Sequence, residues 1–255
     1  MLRERTEATK AGRSPWFPFG TSPDAPVRLL CLPHAGAGAS AYRAWASGLP
    51  DWIGACPMQP PGREQRRAEP PVAEARALVA AAADDVVALI RAPYAIAGHS
   101  TGALCAFELA RELRRRGAPG PAYLFVSGRR PPQEPMLQTR VGEKSLDELA
   151  RMLRKMGGTP EAVLADREFL AMIAPMLVAD FSLNEGYAFY PEAPLDVPVM
   201  AFTAAGDPAG SPGIMAGWRQ VTTAGFSTRQ LDGGHFAIFD EAATVLGAIA
   251  EALAP

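Results

Sequence analysis

The 255-residue chain is long enough for one large α/β domain, or two small ones, with a substantial core. Its formal net charge of −2, with charged residues spread along the chain, leaves no basic footprint for nucleic acid. No apolar run is long enough to span a bilayer, and the polar, mixed-charge start lacks the apolar core of a signal peptide, so we expect a cytoplasmic chain with no membrane partner.

Residues 1–26 are rich in Pro, Gly, Ser and charge and read as a leader, anchored where Trp16 and Phe17 can pack. Residues 27–32 are an apolar run suited to the middle of a parallel sheet, and residues 33–40 follow as a loop of small residues before a helix over 41–49. A short strand at 52–56 precedes a turn at 60–64. From 72 to 91 the residues Leu78, Val79, Ala82, Val86, Leu89 and Ile90 recur at helical spacing, with Asp84 and Asp85 opposite. A strand at 94–97 then runs into Gly98-His99-Ser100-Thr101-Gly102, which opens a helix over 103–116 that ends at Gly117 with Arg114, Arg115 and Arg116 in its last turn. A strand at 122–127 follows. This rhythm predicts a largely parallel sheet with helices on both faces.

About 70 residues separate that strand from the next, at 197–203, far beyond a usual loop of roughly 4–6. They carry helical patterns at 145–156, with Ser145 as N-cap and Glu148 completing a capping box, and at 161–181. We read residues 129–190 as a helical lid inserted into a core of residues 27–128 and 191–255. The lid methionines Met152, Met156, Met172 and Met176 would suit acyl chains of varied shape. A helix near 213–222, a strand at 226–231, a Gly-rich turn ending at His235-Phe236 and a last helix to about 253 complete the chain. Cys31, Cys56 and Cys105 are odd in number, lack metal-ligand spacing and fall in apolar patterns, which predicts buried free thiols. Neither a metal nor a cofactor is expected.

The stretch 98–102 reads as a nucleophile elbow, in which a serine sits on a sharp strand-to-helix turn and small residues two before and two after permit the turn. Three histidines lie at strand ends. His99 adjoins the serine and points away, and His34 opens a loop suited to a donor role and to lining the site, which leaves His235 as the base. Of the acids between them, Asp147, Asp166 and Asp180 lie on the lid, Asp196 enters its strand from the wrong end, and Asp207 alone follows the C-terminal end of a strand. Asp232 is the runner-up. The order Ser100, Asp207, His235 is that of the α/β-hydrolase fold. Backbone N–H groups of Thr101 and Ala35 are the candidate oxyanion donors.

With these residues in place, the chain resembles the discrete type II thioesterases that accompany polyketide synthases and nonribosomal peptide synthetases. The likeness runs from Trp16 nearly to the end. It rests on Leu32-Pro33-His34-Ala35-Gly36 with Tyr42 and Trp45, Gln59-Pro60-Pro61-Gly62-Arg63-Glu64, the elbow with Ala106-Phe107-Glu108-Leu109-Ala110, Ala179-Asp180-Phe181 with Glu185 and Tyr187, Pro194-Leu195, and Gly233-Gly234-His235-Phe236. The resemblance implies hydrolysis of acyl groups from the phosphopantetheine thiol of acyl or peptidyl carrier proteins, clearing stalled or misprimed chains. It also implies the triad acid at Asp207. Two residues depart from the family pattern: Thr101 stands where methionine is usual, and Ala37 where glycine is common, a cost if that residue needs positive φ. A carboxylesterase or lipase acting on free small molecules, a silent binding protein of the same fold, and an acyl transferase or macrocyclase are the other readings. Fold and charge allow a monomer.

Overall fold

The computed structural model describes residues 14–89, 93–136 and 139–254. In chain order its elements are β1 (Val27–Leu32), α1 (Trp45–Gly48), β2 (Ile53–Pro57), α2 (Ala75–Leu89), β3 (Tyr94–His99), α3 (Thr101–Arg115) and β4 (Leu124–Ser127). There follow α4 (Leu146–Met156), α5 (Glu161–Ala165), α6 (Arg167–Glu185), β5 (Val199–Ala204), α7 (Pro212–Met215), β6 (Phe226–Leu231), α8 (Ala237–Asp240) and α9 (Ala242–Leu253).

The six strands form one parallel sheet in the order β2-β1-β3-β4-β5-β6. Strand alternation divides its core in two. Leu30, Leu32 and Ile96 face α2, α3 and Trp218, while Leu29, Cys31, Ala95 and Ala97 face Trp45 and the buried side of α9. Every residue of β1 and β3 is buried, as their apolar runs require. Trp16 and Phe17 join the first of these clusters; the rest of the leader, residues 1–13, and Ile90 at the end of the α2 pattern lie outside the described residues.

The order of the strands positions the site. From β1 the chain crosses outward to β2, whereas from β3 it crosses the other way to β4, so the loops leaving β1 and β3 diverge and open a crevice at their C-terminal ends. Leu32 pairs in register with Gly98, and Ala204 with Leu231, which brings the loops after β1 and β3, and those after β5 and β6, side by side. Between β4 and β5, helices α4 to α6 pack on one another around Leu149, Leu153, Leu164, Leu170, Leu177 and Phe181. The Ser145–Glu148 capping box forms as the spacing predicts, and the helical pattern at 161–181 resolves into two helices because Asp166 caps a new start. Among the described residues no helix is long and apolar enough to cross a membrane.

Candidate active site

Ser100 joins β3 to α3 with φ 54 and ψ −122, a conformation that side-chain-bearing residues rarely hold and that costs about 1–3 kcal/mol. The turn is tight enough that both flanking glycines are required for space. A Cβ at Gly98 would strike the Gly102 carbonyl, and one at Gly102 would strike the carbonyls of Leu32 and Pro33. Ser100 N–H donates to the Ser127 carbonyl at 2.9 Å, which fixes the elbow to β4. Thr101 is the first residue of α3, so its N–H has no acceptor within the helix and carries part of the positive dipole end.

Asp207 and His235 lie on the adjoining turns after β5 and β6, which Gly206 N–H ties together through the Gly233 carbonyl at 3.1 Å. His235 Nδ1 is 2.9 Å from Asp207 Oδ2, and the Ala209 N–H donates to Oδ1 at 2.9 Å. Burial pushes the Asp207 carboxyl up, but the bond from His235 and the backbone N–H groups of Ala209 and Gly210 outweigh it and hold it below the usual carboxylate range. The other acids are engaged elsewhere or exposed. Asp166 caps α6, Asp147 pairs with Arg167, Asp180 pairs with Arg63, Asp196 is exposed, and exposed Asp232 donates its N–H to Glu241.

Three imidazoles cluster here, with ring centroids 4.7 Å apart for His99 and His235 and 5.8 Å for His34 and His99. His99 is wholly buried with Nδ1 2.8 Å from the Ser127 hydroxyl, and burial drives its pKa well below the ordinary imidazole value. Burial lowers His34 as well. Burial thus disfavours a charge on either ring.

A narrow, largely apolar pocket opens beside these groups. His34, Ala35 and Thr101 line it together with Trp16, Met58, Leu78, Val79, Cys105 and Leu183. Burial pushes the Cys105 thiol up to about 12, and all three cysteines are buried and unpaired. The left-handed backbone of the Ala35 loop falls on Gly36, φ 81, while Ala37 is not among the residues at positive φ, so the departure from glycine there carries no strain.

The lid methionines are not gathered into this pocket. Met176 is buried in the core shared by α4 to α6, Met152 and Met156 pack against that core, and Met172 is 66% exposed, because the apolar faces of the three helices meet one another. Arg129, just after β4, is 1% exposed, and burial lowers its pKa to about 10. Its Nε donates to Asn184 Oδ1 at 2.9 Å. Asn184, missed in the sequence, lies four residues after Asp180 on the buried side of α6, and a polar pair at that spacing amid apolar neighbours is the signal that marks it. Among the described residues no group of three or more His, Cys, Asp or Glu side chains is placed to hold a metal ion.

Residues 27–253 match the family described as Thioesterase domain. The chain is 38% identical to the gramicidin S biosynthesis protein GrsT of Aneurinibacillus migulanus over 85% of its length and 84% of that protein's, and 38% identical to the thioesterase PikA5 of Streptomyces venezuelae over 88% and 79%. Among solved structures it superposes on RedJ, a thioesterase from the prodiginine biosynthetic pathway of Streptomyces coelicolor, with TM-score 0.81 and 37% identity, covering 91% of this chain and 87% of that one. The type II thioesterase BorB from the borrelidin biosynthetic cluster gives TM-score 0.82 and 35% identity, over 89% and 92%. A parallel sheet with a serine elbow, a paired His and Asp on neighbouring strand-end turns, and these relatives lead to one conclusion: the chain belongs to the thioesterase family, hydrolases of the α/β-hydrolase fold.

Proposed function

We propose that the protein is a type II thioesterase that removes aberrant or stalled acyl groups from the phosphopantetheine thiol of acyl or peptidyl carrier proteins. The observation that carries this reading is the His235–Asp207 pair, 2.9 Å apart, on the sheet edge where Ser100 holds a left-handed elbow. In the proposed mechanism His235 Nε2 takes the Ser100 proton as Oγ attacks the thioester carbon, and the N–H groups of Ala35 and Thr101 hold the oxyanion. Collapse breaks the C–S bond, and the pantetheine thiolate leaves with the proton returned by His235. Water, deprotonated by His235, then attacks the acyl-enzyme and releases the acid.

Asp207 orients the imidazole and stabilises its charged form, and His34 lines the acyl entry. Residues 129–190 act as a lid on a core of residues 27–128 and 191–255. The relatives' biosynthetic pathways support a carrier-protein partner, and the buried free thiols support a reducing cytoplasm. Every reacting group comes from a single chain, which supports action as a monomer. The test offers a panel of acyl groups both on a carrier protein's pantetheine thiol and as simple oxygen esters. We expect turnover of the carrier-bound thioesters that vanishes in Ser100→Ala. Turnover of oxygen esters alone would make the protein a general esterase, and no turnover of either would make it a binding protein.

A further inference from the structure

We infer that α6 is the strut that fixes the spacing of the two oxyanion donors, with Asp180 and Asn184 as positioning residues and the Thr101 hydroxyl as the handle by which Asn184 holds the start of α3. The inference rests on the donor assignment just proposed. Asp180 and Asn184 stand four residues apart on one face of α6, about 6 Å along its axis.

Each grips a different catalytic segment. Asp180 Oδ2 accepts the N–H of Gly36, the neighbour of Ala35, at 2.7 Å, and the carboxylate also receives Arg63 at 2.5 and 2.7 Å. Arg63 donates onward to the Ala37 carbonyl at 3.1 Å, so the loop is held at two consecutive residues. Asn184 Nδ2 donates to Thr101 Oγ1 at 2.8 Å.

The orientation of Asn184 is determined by its other neighbour. Arg129 can only donate, so Oδ1 faces its Nε and the amide N–H₂ must face Thr101. Arg129 is itself fixed, with Nη1 donating to the Arg130 carbonyl at 2.7 Å and its own carbonyl accepting from Trp218 Nε1 at 2.8 Å. Arg63, Thr101, Asp180, Asn184 and Arg129 are all buried. Burying polar groups is favourable only when all are satisfied, and a satisfied buried network holds its members in one geometry. Here the network ends beside both donors, whose N–H groups must sit within tenths of an ångström of the developing oxyanion.

The experiment compares Thr101→Val, Asn184→Leu, their double variant, Thr101→Ser and Asn184→Asp. Asn184→Asp keeps the size and the Arg129 contact, and the Thr101 hydroxyl can turn to donate to its carboxylate. The readouts are kcat per titrated active site on an acyl-pantetheine thioester, the rate at which a fluorophosphonate labels Ser100, and Tm. We expect Thr101→Val and Asn184→Leu each to lose about 10-fold in kcat and in labelling rate with KM little changed, and Asn184→Asp, which still bonds Thr101, to keep most of both. The double variant falls no further than the worse single one, and Thr101→Ser recovers most of what Thr101→Val loses. Per-site rates of Thr101→Val and Asn184→Leu that hold while Tm falls, or losses that multiply in the double variant, would overturn the inference. A wild-type protein that labels but hydrolyses no thioester would overturn the proposed function alone, leaving the coupling readable in the labelling rates. One that does not label would overturn both.

Discussion

Asp207→Asn is the perturbation whose size the structure allows to be worked out. The Ala209 N–H donates to Oδ1, so in the variant the amide oxygen remains there and the amide N–H₂ faces His235 Nδ1. That arrangement stabilises the tautomer with its proton on Nε2, which cannot accept from Ser100. Restoring the productive tautomer requires turning the amide and leaving the buried Ala209 N–H opposite another donor, about 1–3 kcal/mol. The imidazolium that forms in the reaction also loses its buried carboxylate, about 3–5 kcal/mol. Together these amount to about 4–8 kcal/mol, a fall in kcat of roughly 10³- to 10⁶-fold. The assay is thioester hydrolysis per titrated active site at neutral pH, with Tm as a check on folding. A folded variant less than about 10-fold slower would refute the orienting role proposed for Asp207 and direct attention to Asp232.

The remaining predictions concern stability and the shape of the elbow. Burial lowers the pKa of His99 and, more weakly, His34, so the unfolded chain binds more protons below its own imidazole pKa near 6.5. Stability is therefore full above about pH 6.5 and falls below it by up to about 1.4 kcal/mol per pH unit for each buried histidine; equal urea unfolding energies at pH 7.5 and 5.5 would contradict this. Gly102→Ala drives a methyl group into the Leu32 and Pro33 carbonyls and should cost about 3 kcal/mol or more while slowing fluorophosphonate labelling, as Tm and labelling rate will show. Arg63→Leu strands the Asp180 carboxylate in the interior and should destabilise by about 3–5 kcal/mol in urea titration, a loss that Asp180→Asn in the same chain partly reverses. Trp218→Ala empties a fully buried site and removes the donor to the Arg129 carbonyl, which should cost about 3–5 kcal/mol.

What was legible in the sequence was what local chemistry dictates. The apolar runs of β1 and β3 announce central strands, the Ser145–Glu148 spacing announces a helix start, and glycine on both sides of Ser100 announces a turn with no room for side chains. The meeting of Asp207 with His235 could be anticipated because the end of a strand, unlike a helix face, fixes which edge of the sheet a residue occupies. The contacts of Asn184 could not. They join residues 55 and 83 positions apart, and no local pattern encodes which buried polar group another will meet. The burial of Arg129 is equally hidden, since an arginine after a strand gives no sign that Asn184 and Trp218 enclose it. Periodicity placed the lid methionines on helices but could not say that those helices bury their apolar faces in each other.

Cys105 lines the narrow pocket beside the site to which, on the proposed function, thioesters are delivered, and a thiol there is a hazard. Thioesters exchange readily with thiolates, and an acyl group passed to cysteine would merely relocate the stalled chain. With its pKa pushed up to about 12, Cys105 is ionised in only about one molecule in 10⁵ at pH 7. Cys31 and Cys56 are raised likewise. On the proposed function, thiols held protonated in this way leave the acyl group to Ser100, whose oxygen ester water can cleave.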